Sequence, residues 1–368
     1  MSEAEPTGWN RPAFAVERRV VTVRDVIQSA HFRGELEPFW ADTLALLEGK
    51  KQADERGLDP DEAALQSASE QFRYERDLIT AEETERWIEE RGLTLEDFSD
   101  YFRRRFWKDA PGEKTEPDGR DWLSASAELR DLLRVELLLS GEFDRLAVRL
   151  AWRVAAGGAG GAGGAGAPEA VKCEQVKFFL RTGFSEAALE KWLVRLGRDE
   201  SWLDEMVSLE ATYRRECEAL LTREACERML NALRIPLTRM ELETIDLESR
   251  AAAREAYLCI REDGLPMADV AKSGRYPYRR AEIVCEDLAA ESQRKILCAA
   301  PGEVLEPIER GDGFQLCRLI QKIEPTLSDA PTRVRIEQRI LERHFSELAA
   351  GRIVWMIPPS SIHDRASR

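Results

Sequence analysis

The stretch that decides the fold is PGEVLEPIERGDGFQLCRLIQK, residues 301–322. It predicts two short strands around a turn, because apolar runs flank the turn-forming sequence Gly311-Asp312-Gly313. The second strand begins Gly313-Phe314-Gln315-Leu316. This strand carries the amide side chain of Gln315 near its start. The question is whether Gln315 occupies a position where a catalytic residue is expected.

Strand and helix patterns alternate through the residues before this hairpin. LTRMELETIDL predicts a strand, SRAAAREAYLCIRE a helix ended by Asp263-Gly264, and PMADVAKSG a short helix closed by Gly274. RRAEIVCEDL predicts another strand and AAESQRKILCAA another helix. The predicted order over residues 236–325 is therefore strand, helix, helix, strand, helix, strand, strand. A long helix and a final strand, RIVWMI, follow in 326–357, with a polar tail at 358–368.

The front of the chain is helical by its periodicity, and its sequence indicates an internal duplication. EKWLVRLGRDESWLDEM (190–206) matches ERWIEERGLTLEDFSDY (85–101) at a constant offset of 105 residues. We therefore predict a flexible tail at 1–18, one helical module at 19–110 and a second, repeated module at 121–235. Thr80 and Thr94 are predicted N-caps, since an acidic residue follows each of them three positions later.

Two features inside these modules have open interpretations. Trp87 and Trp192 occupy equivalent positions of the repeat and could line a peptide groove, although such tryptophans more often anchor a core. The segment AAGGAGGAGGAGAP, residues 155–168, predicts a flexible loop because it is too rich in glycine to hold a helix.

Composition excludes several functional classes. The 368 residues exceed one ordinary core and predict two or three domains, and the net charge of −15 argues against a nucleic-acid partner. No signal-like segment and no run of about 18 apolar residues occurs, so we expect a cytoplasmic protein with no membrane partner. Seven scattered cysteines and three histidines lack the spacing of a metal site, and phosphate-cradling motifs are missing. The sequence thus predicts neither a metal nor a cofactor.

The C-terminal third resembles the parvulin-type (PpiC) peptidyl-prolyl isomerase domain over residues 236–325. The most specific matches are Ala300-Pro301-Gly302-Glu303, Pro307-Ile308 and Gly313-Phe314. The helical regions are similar to the chaperone modules of the SurA and PrsA foldases, with residues 19–36 resembling the start of their N-terminal modules. A further likeness is to PpiC-related proteins of bacterial peptide-maturation systems.

This resemblance implies a site with one histidine on the first strand of the domain and another on the last. The first position falls near Glu243 or Thr244 and the last on Gln315, none of which is histidine. Cys285 lies near the position where the family often has cysteine or aspartate. The family's glycine-rich signature is replaced by RRAEI at 279–283. The candidates for a catalytic role are therefore Cys285, Gln315, Glu243 and Thr244, none of which matches the family's histidines.

We predict an α+β, mostly helical fold, with a parvulin-like small sheet preceded by two related helical modules. The favoured function is a peptide-binding chaperone with a degenerate isomerase domain that assists maturation of an unfolded or precursor peptide. The alternatives are an active cytoplasmic prolyl isomerase and an adaptor for a peptide-modifying enzyme. The residues predicted to contact a peptide are Phe314, Gln315, Leu316, Trp87 and Trp192.

Overall fold

A computed structural model describes residues 7–108, 121–159, 168–311 and 313–359. They form helices for the most part, together with two small antiparallel sheets, which confirms the predicted α+β, mostly helical class. The chain divides into two compact units. The first contains Met1–Glu218 and His344–Ser360, and the second contains Ala219–Arg343 and Ser361–Arg368.

The helices are numbered in chain order. They are α1 (Val23–Phe32), α2 (Glu37–Glu55), α3 (Glu62–Tyr74), α4 (Ala81–Glu90), α5 (Leu95–Phe106), α6 (Ala127–Ser140), α7 (Glu142–Ala159), α8 (Pro168–Thr182), α9 (Glu186–Leu196), α10 (Glu200–Leu220), α11 (Arg223–Ala232), α12 (Arg250–Arg261), α13 (Met267–Gly274), α14 (Ala290–Cys298) and α15 (Ala330–Ala350). None of these described helices is both long and apolar enough to cross a membrane. Thr80 and Thr94 form capping boxes at the starts of α4 and α5, as predicted.

The strands are likewise numbered in chain order. They are β1 (Pro12–Val16), β2 (Arg19–Thr22), β3 (Arg239–Leu247), β4 (Tyr278–Val284), β5 (Ile308–Arg310), β6 (Gly313–Ile323) and β7 (Ile353–Trp355). One sheet has the order β2-β1-β7 and the other the order β4-β3-β6-β5, and every pairing is antiparallel.

The helices of the first unit recur at a nearly constant interval. The starts of α6 to α10 lie 104 to 106 residues after the starts of α1 to α5. The equivalence extends to helix signals, because Thr80 and Ser185 cap α4 and α9 in the same way. Gly92 and Gly197 end those helices with φ values of 64° and 67°, a conformation that glycine adopts without steric cost. Sequence similarity was evident in two of these five helix pairs, whereas helix positions match in all five.

The first unit also contains a sheet that the sequence did not indicate. Residues 12–16, which we assigned to a flexible tail, form the central strand β1, and Phe14 is completely buried. The stretch is too short for its alternation to stand out from its surroundings. The final strand was predicted correctly and pairs with β1, with Phe14 opposite Trp355.

The glycine-rich segment begins later than predicted. Helix α7 continues through Ala159, so residues 155–159 are helical rather than part of a loop. Ala155 and Ala156 are buried, and a Cβ atom at Gly157 would come within 3.0 Å of the Leu209 side chain. Close packing against small residues therefore holds this turn of helix despite its glycines. Residues 160–167 lie outside the described part of the chain.

The second unit begins with α11, which the sequence prediction placed in the helical module 121–235, and from residue 236 onward it has the predicted element order. The strand β3 is followed by α12, α13, β4, α14, β5 and β6, and α15 begins after them. Helices α12 and α13 pack on one face of the sheet through side chains that include Ala256 and Ala271. Helix α14 packs on the opposite face through Ile296. This leaves β3 and β6 at the centre of the sheet, each with one neighbour on either side.

Candidate functional site

The central strands β3 and β6 bring Gln315 opposite Asp246. Their register pairs Asp246 with Gln315 and Thr244 with Cys317. Because successive side chains of a strand point to opposite faces, these four residues share one face of the sheet. They form a compact group of polar side chains, which we call the amide cluster.

Two hydrogen bonds orient the amide of Gln315. Its Nε2 donates to Oδ1 of Asp246 across 2.7 Å, and its Oε1 accepts from the thiol of Cys317 across 3.6 Å. The assignment of nitrogen and oxygen agrees with both partners, since a carboxylate only accepts and a thiol donates. Gln315 thus presents a fixed amide, which retains a second N–H for another acceptor.

The amide cluster is open to solvent on one side. The side chain of Asp246 is 36% exposed, and Nη2 of the exposed Arg279 lies 3.7 Å from its Oδ2. Helix α14 covers the same face farther along, where Ile296 packs with Met240. The cluster therefore lies beside an apolar core, at an accessible part of the sheet.

The chemistry of the amide cluster favours hydrogen bonding over proton transfer. Burial raises the pKa of the Cys317 thiol to about 11, so the thiol is protonated at neutral pH. Residues 219–343 contain no histidine. Within the cluster, the amide and the hydroxyl do not transfer protons near pH 7, and the Asp246 carboxylate is engaged by the Gln315 amide, so the imidazole that most often performs general acid–base catalysis has no counterpart there.

Phe314 and Leu316 lie on the opposite face from Gln315. Leu316 is completely buried and packs with Ile245 against α12 and α13, while Phe314 is partly buried in the same group. The three residues that we predicted as one peptide contact are therefore divided between the two faces. Leu316 serves the core of the second unit.

Glu243 is also on the opposite face from the amide cluster. It accepts a hydrogen bond from the Tyr278 hydroxyl across 2.7 Å, and Nη2 of Arg318 lies 2.5 Å from its other carboxylate oxygen. The bond to Glu243 raises the pKa of the Tyr278 hydroxyl. Of the two predicted first-strand candidates, only Thr244 shares the face of Gln315.

Cys285 lies near the other end of the sheet. The neighbouring Val284 pairs with Arg239, whereas Gln315 pairs with Asp246, seven residues along β3 and so about 23 Å away at ~3.3 Å per residue. Cys285 is buried, and burial raises the pKa of its thiol. The sulfur that the structure places beside Gln315 is Cys317.

Trp87 and Trp192 both lie in the aromatic core of the first unit. The guanidinium of Arg91 stacks 3.8 Å above the ring of Trp87, which is partly buried. Trp192 is 8% exposed and donates its indole N–H to Nε2 of His31 across 3.1 Å. Both rings are positioned as core anchors.

Sequence reasoning missed Asp246 and Cys317. Their alternation with Thr244 and Gln315 was visible, since each pair is separated by two positions along its strand. The pairing of β3 with β6 was not visible, because register depends on packing between strands that are far apart in sequence. Across the described residues, no group of three or more histidine, cysteine, aspartate or glutamate side chains could hold a metal ion.

Comparisons with known proteins give distant structural similarities. No protein-family model matches the chain, and no curated protein matches it. The PrsA peptidylprolyl isomerase of Bacillus cereus is 12% identical, with 60% of this chain and 85% of that one covered and a TM-score of 0.37. The foldase protein PrsA of Streptococcus pneumoniae is 12% identical, with 61% and 87% covered and a TM-score of 0.26. PrsA of Bacillus subtilis is also 12% identical, with 60% of this chain and 84% of that one covered and a TM-score of 0.21.

Similarity at this level identifies neither an activity nor a ligand. The structure itself defines the class of protein as a helical unit with an internal repeat, accompanied by a four-stranded α+β unit. The proposals that follow depend on the residues of this chain.

Proposed function

We propose that the protein is a peptide-binding chaperone whose parvulin-like unit lacks efficient prolyl isomerase activity. The observation that carries this proposal is the pairing of Gln315 with Asp246, on an accessible face and at the position where the resemblance places a histidine. The amide is held rigidly and can bind a peptide carbonyl group. No imidazole is available in residues 219–343 to complete the polar network that the resemblance implies.

The proposed client is an unfolded or precursor peptide in the cytoplasm. All seven cysteines are free, and a reducing compartment would keep them so. An extended segment could lie over the amide cluster and contact both its polar groups and the adjacent apolar residues. A peptide-modifying enzyme is the further partner that this role would imply.

The test measures isomerisation and aggregation in parallel. We expect the full chain to leave the slow cis/trans phase of Xaa-Pro peptides unchanged at catalytic ratios, and to suppress aggregation of a denatured client near equimolar ratios. Gln315→Ala should weaken suppression. Gln321→Ala is the matched control, because Gln321 is also on β6 and donates to a β3 carboxylate, that of Glu241, across 2.8 Å.

Three results would contradict the proposal. Turnover at catalytic ratios that Gln315→Ala abolishes would establish a prolyl isomerase instead. If Gln315→Ala and the wild type suppress client aggregation equally, the amide cluster is not part of the binding site. Neither activity, together with stable co-purification of a modifying enzyme, would leave an adaptor.

A further inference from the structure

The outer edge of β4 is an unpaired strand edge with a defined set of free backbone groups. Among the described residues, β4 pairs only with β3, and its residues from Tyr278 to Glu282 are all exposed. Charged edge residues often protect a sheet from aggregation, so exposure by itself does not indicate a binding site. The hydrogen-bond pattern and the local charge supply the further evidence.

The hydrogen bonds at the two ends of the β3–β4 ladder fix the direction of every backbone group. The Asp246 N–H donates to the Pro277 carbonyl at one end, and the Cys285 N–H donates to the Thr238 carbonyl at the other. In an antiparallel pair, residues with inward-pointing backbone groups alternate with residues whose groups point outward. Alternation counted along β4 from Pro277 and alternation counted back from Cys285 assign the same residues to the inward-pointing set.

The residues of β4 that face β3 through their backbone groups are therefore Arg279, Ala281 and Ile283. Those that face away from the sheet are Tyr278, Arg280, Glu282 and Val284, of which the first three are exposed and Val284 is half-buried. No backbone hydrogen bond from the described part of the chain reaches the N–H or C=O groups of the three exposed residues. Three donors and three acceptors are thus arranged in a row at the spacing that an additional strand requires.

The charge beside this edge is positive, although the whole chain carries a net charge of −15. Residues 272–280 contain four cationic side chains and no acidic one, and all four are exposed. They are Lys272, Arg275, Arg279 and Arg280. Arg279 and Arg280 interact with Asp246 and Glu241, but those carboxylates belong to β3, one strand spacing of about 4.8 Å farther from an added strand.

We propose that the outer edge of β4 binds an extended acidic peptide segment as an additional strand of the sheet. This inference depends on the proposed function and defines the class of client. Acidic side chains of the peptide would lie beside Arg279 and Arg280. Glu282, at the opposite end of the edge, disfavours an acidic residue and favours a basic or apolar one.

The test uses fluorescence anisotropy with the full chain and labelled nine-residue peptides. One peptide alternates Glu and Thr, and a second alternates Lys and Thr. Two further versions of the acidic peptide carry N-methyl groups on alternate residues, so that each version blocks the backbone N–H groups along one of the two edges of the peptide strand. We expect the acidic peptide to bind at least tenfold more tightly than the basic one. The N-methyl version that blocks the pairing edge should bind about tenfold more weakly, since it cannot donate the hydrogen bonds of the added strand.

Variants of β4 locate the binding site. Arg280→Pro removes an outward-pointing N–H and should weaken binding of the acidic peptide about tenfold without removing a backbone hydrogen bond of the β3–β4 ladder. Arg280→Ala is its control, because it also removes the side-chain bond to Glu241 and the positive charge but keeps the N–H. The double variant Arg279→Glu/Arg280→Glu should reverse the preference between acidic and basic peptides. Circular dichroism and urea unfolding establish that each variant is folded.

The outcomes separate this inference from the proposed function. Equal binding of methylated and unmethylated peptides, or loss of binding in Gln315→Ala but not in Arg280→Pro, overturns strand addition and leaves the peptide-binding function intact. A concentration-dependent dimer that Arg280→Pro dissociates overturns it as well, because a second copy would then occupy the edge. If no peptide and no denatured client binds, both proposals fail.

Discussion

Trp192 donates its indole N–H to Nε2 of His31 across 3.1 Å, and this bond requires a neutral imidazole. His31 also lies 5.2 Å from the ring of Trp122 and 4.0 Å, through Nδ1, from Glu37. Burial lowers the pKa of His31 below 6.5, and the positive charge of Arg181 acts in the same direction, while Glu37 and Asp121 oppose them. The first unit thus keeps an uncharged histidine in its aromatic core.

We expect the stability of the first unit to fall as the pH decreases below about 6.5. The unfolded chain binds a proton on His31 near that pH, whereas the folded chain binds it only at a lower pH, so unfolding takes up a proton and acid favours it. The free energy of unfolding should decrease by at most about 1.4 kcal/mol per pH unit from this group. Urea titrations followed by tryptophan fluorescence between pH 8 and 5 measure this dependence.

His31→Gln should remove this pH dependence, whereas His344→Gln should retain it. His344 is the appropriate control because it is partly exposed and interacts with Glu216 across 3.0 Å. A pH profile that is the same in wild type and His31→Gln would contradict the role assigned to the buried imidazole.

Gln315→Glu should destabilise the second unit at neutral pH by about 1 kcal/mol. Two carboxylates would then face each other directly across β3 and β6, and like charges in that position repel. The difference from wild type should grow as the pH rises from 4 to 7, because the repulsion requires the introduced carboxyl group to be ionised. Urea unfolding at the two pH values measures it.

The control for this substitution is Gln321→Glu. Its partner Glu241 is bound by Arg280, and the pair is exposed, so the new charge should have a smaller effect. If Gln315→Glu and Gln321→Glu destabilise the protein equally, the amide cluster is screened by solvent as much as the exposed pair is.

The cysteines should differ strongly in their reactivity toward a thiol reagent. Cys173 and Cys298 are exposed and should react rapidly in the native protein. Cys285 and Cys317 are buried, and burial raises the pKa of both thiols, so they should react only when the chain unfolds. Ellman's assay in buffer and in 6 M guanidinium separates the groups.

A double variant, Cys173→Ser/Cys298→Ser, should eliminate the rapid phase of that reaction. Rapid modification of Cys285 in this background would be inconsistent with its buried position. It would also restore Cys285 as a candidate nucleophile, which its present environment argues against.

Arg104→Leu should destabilise the first unit by about 3 to 5 kcal/mol, because it leaves a buried carboxylate without its main partner. Arg104 Nε donates to Glu136 across 2.9 Å, and both side chains are more than 90% buried. Burial raises the pKa of Glu136 above its ordinary value. Guanidinium denaturation, with the two units distinguished by tryptophan fluorescence, measures the loss.

Two further variants define the source of this effect. Arg103→Leu should cost less than about 1 kcal/mol, because Arg103 is half exposed and pairs with Asp100 at 3.6 Å. Arg104→Leu/Glu136→Leu should recover much of the lost stability, since no buried charge is left unpaired. A double variant as unstable as Arg104→Leu would assign the loss to packing instead.

Local signals predicted much of the fold. The element order of the second unit, the N-caps at Thr80 and Thr94 and the final strand all depend on residues that are close in sequence. Features that depend on contacts between residues distant in sequence were not predicted. The strand β1 is short, and α7 continues through its alanines and Gly157 because Leu209 packs closely there.

The candidate site was predicted only in part for the same reason. Gln315 was identified from its position in the hairpin, but its partner was not, because the two residues lie 69 positions apart. Alternation along the predicted strand already places Gln315 on the opposite face from Phe314 and Leu316. Which of the two faces the helices α12 and α13 cover is a tertiary property that the sequence did not show.

The pairing of β1 with β7 determines the order in which the chain can fold during its synthesis. Residues 12–16 leave the ribosome more than 330 residues before residues 353–355, with which they pair. At a translation rate of ~5 to 20 residues per second, the edge of β1 stays unpaired for roughly 20 to 70 s before β7 is synthesised. Residues 219–343 are translated during that interval, so the second unit can fold while the first is still incomplete. The sheet of the first unit can close only after β7 has been synthesised, so nascent chains stalled before residue 353 should expose the edge of β1.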